Sequence, residues 1–258
     1  MKSQMTYMIA CCLLYQLSIR ALQALTCPIG LKDVGDGLCM IAFNQNVSYC
    51  YAHRLCNSEG RNRGICLFLV GKHANKLPVH FAGYGLIFTG VHNFLNDGRI
   101  GTFTWKVSDP GAVDFVSDGS SLPWMHGEPN IYAEPIVACS VRGCSNIPQH
   151  GEKHPFVCEM YNPSTVTMQY VTYFKFRAPS STYYDQIGIT DTTSGCVDHL
   201  NQQTLTSCVF KCQINEVCRA SYYNRVSMEC LHTMFVDSLL AKYYDLRRSS
   251  WVRFKKIE

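Results

Sequence analysis

The pattern of apolar and polar positions along the chain predicts both helices and strands. From Tyr49 to Glu59 it predicts a helix, in which Ala52 and Cys56 lie four residues apart on one face. From Tyr170 to Phe176 apolar and polar residues alternate, which predicts a strand. Elements of both kinds place the chain in the α+β class.

The start of the chain carries a different apolar pattern. Lys2 precedes an apolar run from Tyr7 to Leu17 that is too short to span a bilayer, and small residues follow at Ala21 and Ala24. This order is typical of a secretory signal peptide, so we expect residues 1–24 to be removed. No later stretch is apolar enough to span a membrane. We therefore expect a secreted, extracellular product without membrane insertion.

Cysteine count and charge narrow the function classes. The chain has fifteen cysteines, and thirteen remain once Cys11 and Cys12 leave with the signal peptide. In an oxidising compartment such a number predicts a disulfide framework. The sequence contains no Cys-x2-Cys pair, the spacing that would indicate a zinc site. With 23 Lys and Arg against 19 Asp and Glu, the chain lacks the strongly positive charge expected of a protein that binds nucleic acid. Asn46-Val47-Ser48 is a usable N-glycosylation sequon.

The cysteines fall into two blocks, Cys27 to Cys158 and Cys196 to Cys230. Between them lies a cysteine-free stretch that opens with the turn signal Asn162-Pro163-Ser164. This division predicts two small disulfide-rich domains, at residues 27–160 and 166–258. It also predicts that no bridge crosses from one block to the other.

The candidate binding chemistry lies in Glu128-Pro129-Asn130, close to Trp105 and Trp124. If the bond before Pro129 is cis, the carboxylate and the amide oxygen can both turn toward one hard cation. A calcium ion with coordination positions left over can accept two neighbouring sugar hydroxyls. The two tryptophans are more typical of core aromatics than of sugar-stacking platforms.

The first block resembles a C-type lectin-like domain over residues 27–159. Cys27 and Cys39 match the family's N-terminal hairpin bridge, and the predicted helix matches its first helix. The remaining matches, in chain order, are Ile87-Phe88-Thr89-Gly90, Gly101-Thr102-Phe103-Thr104-Trp105, Trp124, Glu128-Pro129-Asn130, Cys139 and His154-Pro155-Phe156-Val157-Cys158-Glu159.

The resemblance implies several disulfides. It pairs Cys56 with Cys158 and Cys27 with Cys39. Cys139 and Cys144 are close enough in sequence to staple a tight hairpin. By elimination, we expect a disulfide between Cys50 and Cys66, a pair that is inferred and is not part of the family pattern.

The family's calcium ligands are only partly present. Glu128 and Asn130 fill the first pair of ligand positions, but Val137 stands where a further carboxylate is usual. The later ligand pair falls on Ser145 and Asn146, while Glu134 could substitute as a second carboxylate. Since affinity depends on the number of carboxylates, calcium binding should be weak or lost. The carbohydrate-binding candidates are Glu128, Asn130 and Asn146, with Glu128 and Asn130 as metal ligands; alternatively, the tripeptide persists only as a loop conformation.

The second block resembles a PAN/apple domain over residues 166–258. The spacing of Cys208, Cys212 and Cys218, followed by Cys230, matches that family's core motif. Cys208 and Cys212 should share one face of a helix. The resemblance pairs Cys208 with Cys230 and Cys212 with Cys218, and expects a closing strand around Trp251-Val252-Arg253-Phe254.

Cys196 is then the odd cysteine. It predicts either a free buried thiol or an interchain bridge that would give a disulfide-linked homodimer.

The leading functional hypothesis is a secreted protein that recognises glycans or glycoproteins, in defence or adhesion. The alternative is a calcium-independent, protein-binding or toxin-like module on the same fold. Enzyme activity is not expected, because the chain has neither Gly-x-Ser-x-Gly nor His-Glu-x-x-His and its cysteines are committed to bridges.

Overall fold

A computed structural model describes residues 27–95, 104–110, 116–117, 120–130, 134–161, 195–239 and 251–255. Within these ranges the chain is mixed α+β and disulfide-rich. The chain divides into two compact units, Met1–Ile41 and Ala42–Glu258. The predicted signal peptide and the predicted strand Tyr170–Phe176 lie outside the described residues.

The smaller unit contains a hairpin. Strand β1 (Lys32–Asp33) pairs antiparallel with the first residues of β2 (Cys39–Val47), with Asp33 opposite Cys39. A disulfide joins Cys27 to Cys39, as the family resemblance implied.

The first part of the larger unit builds one sheet flanked by short helices. The elements after β2 are α1 (Tyr49–Arg63), β3 (Leu67–Leu69), a 3-10 turn (Ala74–Lys76), α2 (Leu77–His80), a second 3-10 turn (Ala82–Tyr84), β4 (Ile87–His92), β5 (Trp105–Val107), β6 (Val116–Ser117), β7 (Ile136–Ser140), β8 (Gly143–Ile147) and β9 (His154–Met160). Strands β2, β9, β4, β5 and β6 follow one another across this sheet, while β3 pairs with β9 and the β7–β8 hairpin pairs with β4.

Helix α1 begins where the sequence predicts and ends a turn later. Gly64 ends it in the left-handed region, at φ 67°, where glycine carries no side-chain penalty. Ala52 and Cys56 lie on its buried face, and Cys56 bonds to Cys158 on β9. Closing a loop with a sequence separation of 102 residues stabilises the fold by about 4–5 kcal/mol in the chain-entropy model.

The second cysteine block forms a separate four-stranded sheet, in the order β10-β12-β11-β13, with one helix. The Thr204 hydroxyl caps that helix by accepting from the Ser207 N–H. The disulfides Cys208–Cys230 and Cys212–Cys218 are present, as the resemblance implied. The elements are β10 (Val197–Leu200), α3 (Leu205–Ile214), β11 (Cys218–Asn224), β12 (Cys230–Met234) and β13 (Trp251–Lys255).

The predicted Cys50–Cys66 pair is wrong. Cys50 bonds to Cys196 across 146 positions, and Cys66 is the described cysteine without a disulfide. Two hydrogen bonds hold Gly195 against the buried Gln149 side chain, which places Cys196 beside Cys50. The predicted homodimer through Cys196 is therefore wrong as well, because that sulfur is bonded within its own chain.

A bridge thus crosses between the two cysteine blocks, contrary to expectation, and further contacts accompany it. Arg219 on β11 donates to the Ser108 carbonyl (3.0 Å), and the His53 and Phe235 rings stack at 5.5 Å. We call these contacts, together with the Cys50–Cys196 bridge, the junction. None of the helices in the described ranges is long and apolar enough to cross a membrane.

Candidate functional site

The loop that carries Glu128 is anchored to strand β8. The Cys144 N–H donates to the Pro123 carbonyl, and the Met125 N–H donates to the Cys144 carbonyl, both at 2.8 Å. Gly143 permits this close approach, because a Cβ atom there would lie 2.5 Å from the Pro123 oxygen. The Cys139–Cys144 bridge, predicted from the sequence, ties β8 to β7 beneath the loop. The start of the loop is therefore held by backbone contacts.

Two tryptophans lie beside this loop. Trp105 on β5 is fully buried, and its ring centroid lies 5.4 Å from that of the half-buried Trp124. Trp105 is thus a core residue, in agreement with the sequence interpretation, and leaves no face for a sugar.

The structure brings together the three predicted carbohydrate-binding residues. The Glu128–Pro129 bond is cis. The Asn130 side-chain amide donates to Glu128 Oε1 (2.8 Å), and the Asn130 backbone N–H donates to Asn146 Oδ1 (3.0 Å). Asn146 is buried on β8, so its side chain fixes the far end of the loop.

One oxygen of this group lacks a donor among the described residues. Glu128 Oε2 is shielded from solvent and has no hydrogen-bond partner in that part of the chain. A shielded carboxylate oxygen without a donor is costly unless a cation or another donor satisfies it. The donor set at this position therefore fits a hard, oxygen-preferring ion such as calcium.

A second carboxylate stands nearby. Burial raises the pKa of Glu134, and the charges of Glu128 and Glu152 raise it further, so both of these carboxylates lie within electrostatic reach of Glu134. Glu152 follows β8 and belongs to no motif, so the sequence offered no signal for it. Clustered carboxylates of this kind gain from a shared cation.

The ligand set remains short of the six to eight oxygens that calcium takes. Val137 is fully buried on β7, opposite Asn146, and offers an apolar side chain where the resemblance implies a carboxylate. The Asn146 side-chain oxygen already accepts a hydrogen bond from the Asn130 N–H. Glu128 and Glu134 are thus the carboxylates that the described part of the loop can offer.

Cysteines also cluster with a histidine in the second block, around His232. These four cysteines are committed to Cys208–Cys230 and Cys212–Cys218, so their sulfurs are not available to a metal.

No family model matches this chain, and neither does any curated protein. Solved structures do match, over about half of it. The C-type lectin CEL-I from Cucumaria echinata is 17% identical, over 53% of this chain and 98% of its own, with a TM-score of 0.41. The human scavenger receptor C-type lectin carbohydrate-recognition domain is 16% identical, over 52% and 98%, with a TM-score of 0.38.

A calcium-independent type II antifreeze protein is 19% identical, over 53% of this chain and 95% of its own, with a TM-score of 0.38. The matched share is about half of this chain in each case. The PAN/apple resemblance of the second cysteine block stays a prediction.

Proposed function

We propose that this chain is a secreted protein that recognises glycans or glycoproteins through a weakly held calcium ion at the Glu128–Asn130 loop. The observation that supports it most is the shielded Glu128 Oε2 atom, which has no donor and lies on the same side chain that Asn130 contacts. A cation at this position would satisfy the carboxylate. When bound, calcium supplies coordination positions for neighbouring sugar hydroxyls.

Glu128, Asn130 and Glu134 would hold the ion, and Asn146 would keep Asn130 in place. Two carboxylates favour a weak site, with a dissociation constant on the order of millimolar rather than micromolar. Because burial and neighbouring charges raise the pKa of Glu134, protons compete with calcium there. Calcium affinity should therefore fall as the pH is lowered.

An extracellular location fits the rest of the chain. Disulfides of this number persist in oxidising compartments. Asn46 is exposed on β2, where a glycan on the Asn46-Val47-Ser48 sequon would meet no packed surface. Residues 1–24 would direct the chain to that compartment.

A glycan array tests this proposal. The secreted protein should bind a subset of glycans in about 10 mM calcium, an excess chosen for a weak site, and lose that binding in chelator. Glu128→Gln should abolish the calcium-dependent signal, since it removes a ligand charge. Glu59→Gln is the matched control, because Glu59 forms only a surface pair with Arg63 on α1. Sugar binding that survives both chelator and Glu128→Gln would place the sugar site elsewhere.

A further inference from the structure

Two buried carboxyl groups away from the Glu128 loop interact electrostatically and contact the adjacent residues Lys72 and His73. Asp109 follows β5 and is 4% exposed, while Glu159 on β9 is 3% exposed. Each has one oxygen with a partner: the Lys72 backbone N–H donates to Asp109 Oδ2, and His73 Nδ1 lies next to Glu159 Oε1, both at 2.8 Å. Burying two negative charges side by side is costly unless both are compensated.

The other two oxygens have no such compensation. Asp109 Oδ1 and Glu159 Oε2 are buried without a hydrogen-bond partner among the residues that the structure describes. Asp109 cannot readily turn away, because it packs against Gly71 so closely that a Cβ atom there would lie 2.0 Å from Oδ1. An ionised carboxylate can only accept hydrogen bonds, whereas a protonated carboxyl group also donates one. A proton on this pair would remove a buried charge and supply the missing donor.

We propose that the Asp109–Glu159 pair holds one proton in the folded protein and releases it when the chain unfolds. Asp109 is its carrier. Burial, and then the charge of Glu159, raise the pKa of Asp109 to about 7, while the ordinary value applies in the unfolded chain.

The charged and titratable neighbours of Asp109 act in both directions. The Lys72 N–H, the His73 imidazole and the Arg219 guanidinium each oppose the rise in the pKa of Asp109 without cancelling it. Burial raises the pKa of the Tyr49 hydroxyl, and the nearby charge of Asp109 raises it further. The hydrogen bond from His73 to Glu159 raises the pKa of His73.

The Asp109–Glu159 pair lies beside the junction, so its proton affects the stability of this part of the fold. Arg219 reaches across the junction to the Ser108 carbonyl, one residue before Asp109. A group whose folded pKa is raised stabilises the fold below its unfolded pKa, and that stabilisation is lost as the pH rises to the folded value. The junction is thus stabilised by acid between about pH 4 and 7 through this pair.

Urea unfolding of wild type and Asp109→Asn between pH 4 and 8 tests the proposal. The unfolding equilibrium constant of wild type, relative to that of the variant, should rise close to tenfold per pH unit up to about pH 7 and then level off. Histidines that do not interact with Asp109 contribute equally to both proteins and cancel in this ratio, whereas His73, whose pKa Asp109 raises, is followed separately by its own NMR titration in both proteins. Asp33→Asn, at an exposed carboxylate, is the control and should give a flat ratio. A flat ratio for Asp109→Asn would overturn the proposal.

Carbon-13 NMR of the wild-type carboxyl groups gives a second readout that needs no variant to fold. The Asp109 carboxyl carbon should titrate with a midpoint near 7, and a midpoint below about 4, the ordinary value, would refute the bound proton. In Glu159→Gln the midpoint should fall, because the neighbouring charge is gone. An unchanged midpoint in that variant would contradict a pair and leave burial alone as the cause.

Discussion

Gln149 shows how much one side chain contributes to the junction. Its amide group spans the Gly195 backbone, donating to the carbonyl at 2.7 Å and accepting from the N–H at 2.9 Å. Gln149 thereby holds the residue before Cys196.

Replacing Gln149 by leucine should therefore destabilise the protein by about 2–4 kcal/mol, because both Gly195 backbone groups would stay buried without partners. Thermal or urea unfolding measures this change. Gln45→Leu makes the same substitution at an exposed position of β2 and should alter stability by less than about 0.5 kcal/mol. Equal effects of the two substitutions would refute this role of Gln149.

Two buried histidines, His53 in the junction and His92 on β4, make the folded protein sensitive to acid. Burial lowers the pKa of His53 and of His92 to about 3. Because the unfolded chain takes up these protons near pH 6.5 and the folded protein does not, stability is lost as the pH falls from about 6.5 toward 3. This dependence runs opposite to that of Asp109.

His53→Phe keeps the stacking on Phe235 and removes the titration. Relative to this variant, wild type should unfold close to tenfold more readily for each pH unit of acidification below about 6.5. His126→Phe, at an exposed loop position, serves as the control. A wild-type to variant ratio that does not change with pH would show that His53 is not held neutral.

At the scale of elements, the start of α1 was predictable and its end was not. The apolar face marks the first three turns, but the last turn depends on Gly60 and Gly64. A Cβ atom at Gly60 would lie 2.7 Å from both the Ile65 carbonyl oxygen and the Leu67 nitrogen. Such a close approach involves residues beyond the helix, which an apolar pattern cannot reveal.

Gly60→Ala should thus destabilise the protein, although alanine is better than glycine in a helix by about 1 kcal/mol. The clash is with backbone atoms, which cannot swing aside. Gly83→Ala is the matched control, since nothing lies within 4 Å of a Cβ atom there. Urea unfolding should separate the two, and a Gly60→Ala protein as stable as wild type would contradict the close packing of α1 on β3.

Disulfides within one hairpin or one helix–sheet pair could be predicted, whereas the long-range bridge could not. Cys139 and Cys144 lie five positions apart on paired strands, so spacing alone brings them together. Cys50 was assigned by elimination, which fails when the two blocks share a bridge. Likewise, Glu128, Asn130 and Asn146 could be identified from the motif series, whereas Glu152 could not, because its proximity to Glu134 comes only from folding.

For the whole molecule, the Cys50–Cys196 bridge should contribute more than any bridge within a hairpin. In the chain-entropy model, closing this loop is worth about 5 kcal/mol, against about 3 kcal/mol for Cys27–Cys39. Replacing each pair by alanines and measuring unfolding should reproduce this order. The reverse order would mean that the junction is held without its disulfide.

Thiol labelling checks the same bridge pattern. In protein produced without residues 1–24, Cys66 should be the reactive thiol among the described cysteines, and Cys66→Ser should abolish labelling. Labelling should be slow, because burial and Glu216 raise the pKa of the Cys66 thiol, an effect that Arg219 partly offsets. Modification of Cys50 or Cys196 in the native protein would refute the assignment.

The central claim, calcium at the Glu128–Asn130 loop, is tested most directly by calcium titration of the nitrogen-15-labelled protein, followed by amide NMR. We predict that the Asn130 backbone amide and the Asn130 and Asn146 side-chain amides shift progressively, with a dissociation constant on the order of millimolar, and that Glu128→Gln abolishes the shifts. Amides of the second cysteine block should stay unchanged. Unshifted Asn130 and Asn146 signals at tens of millimolar calcium, roughly ten times the expected constant, would contradict the account.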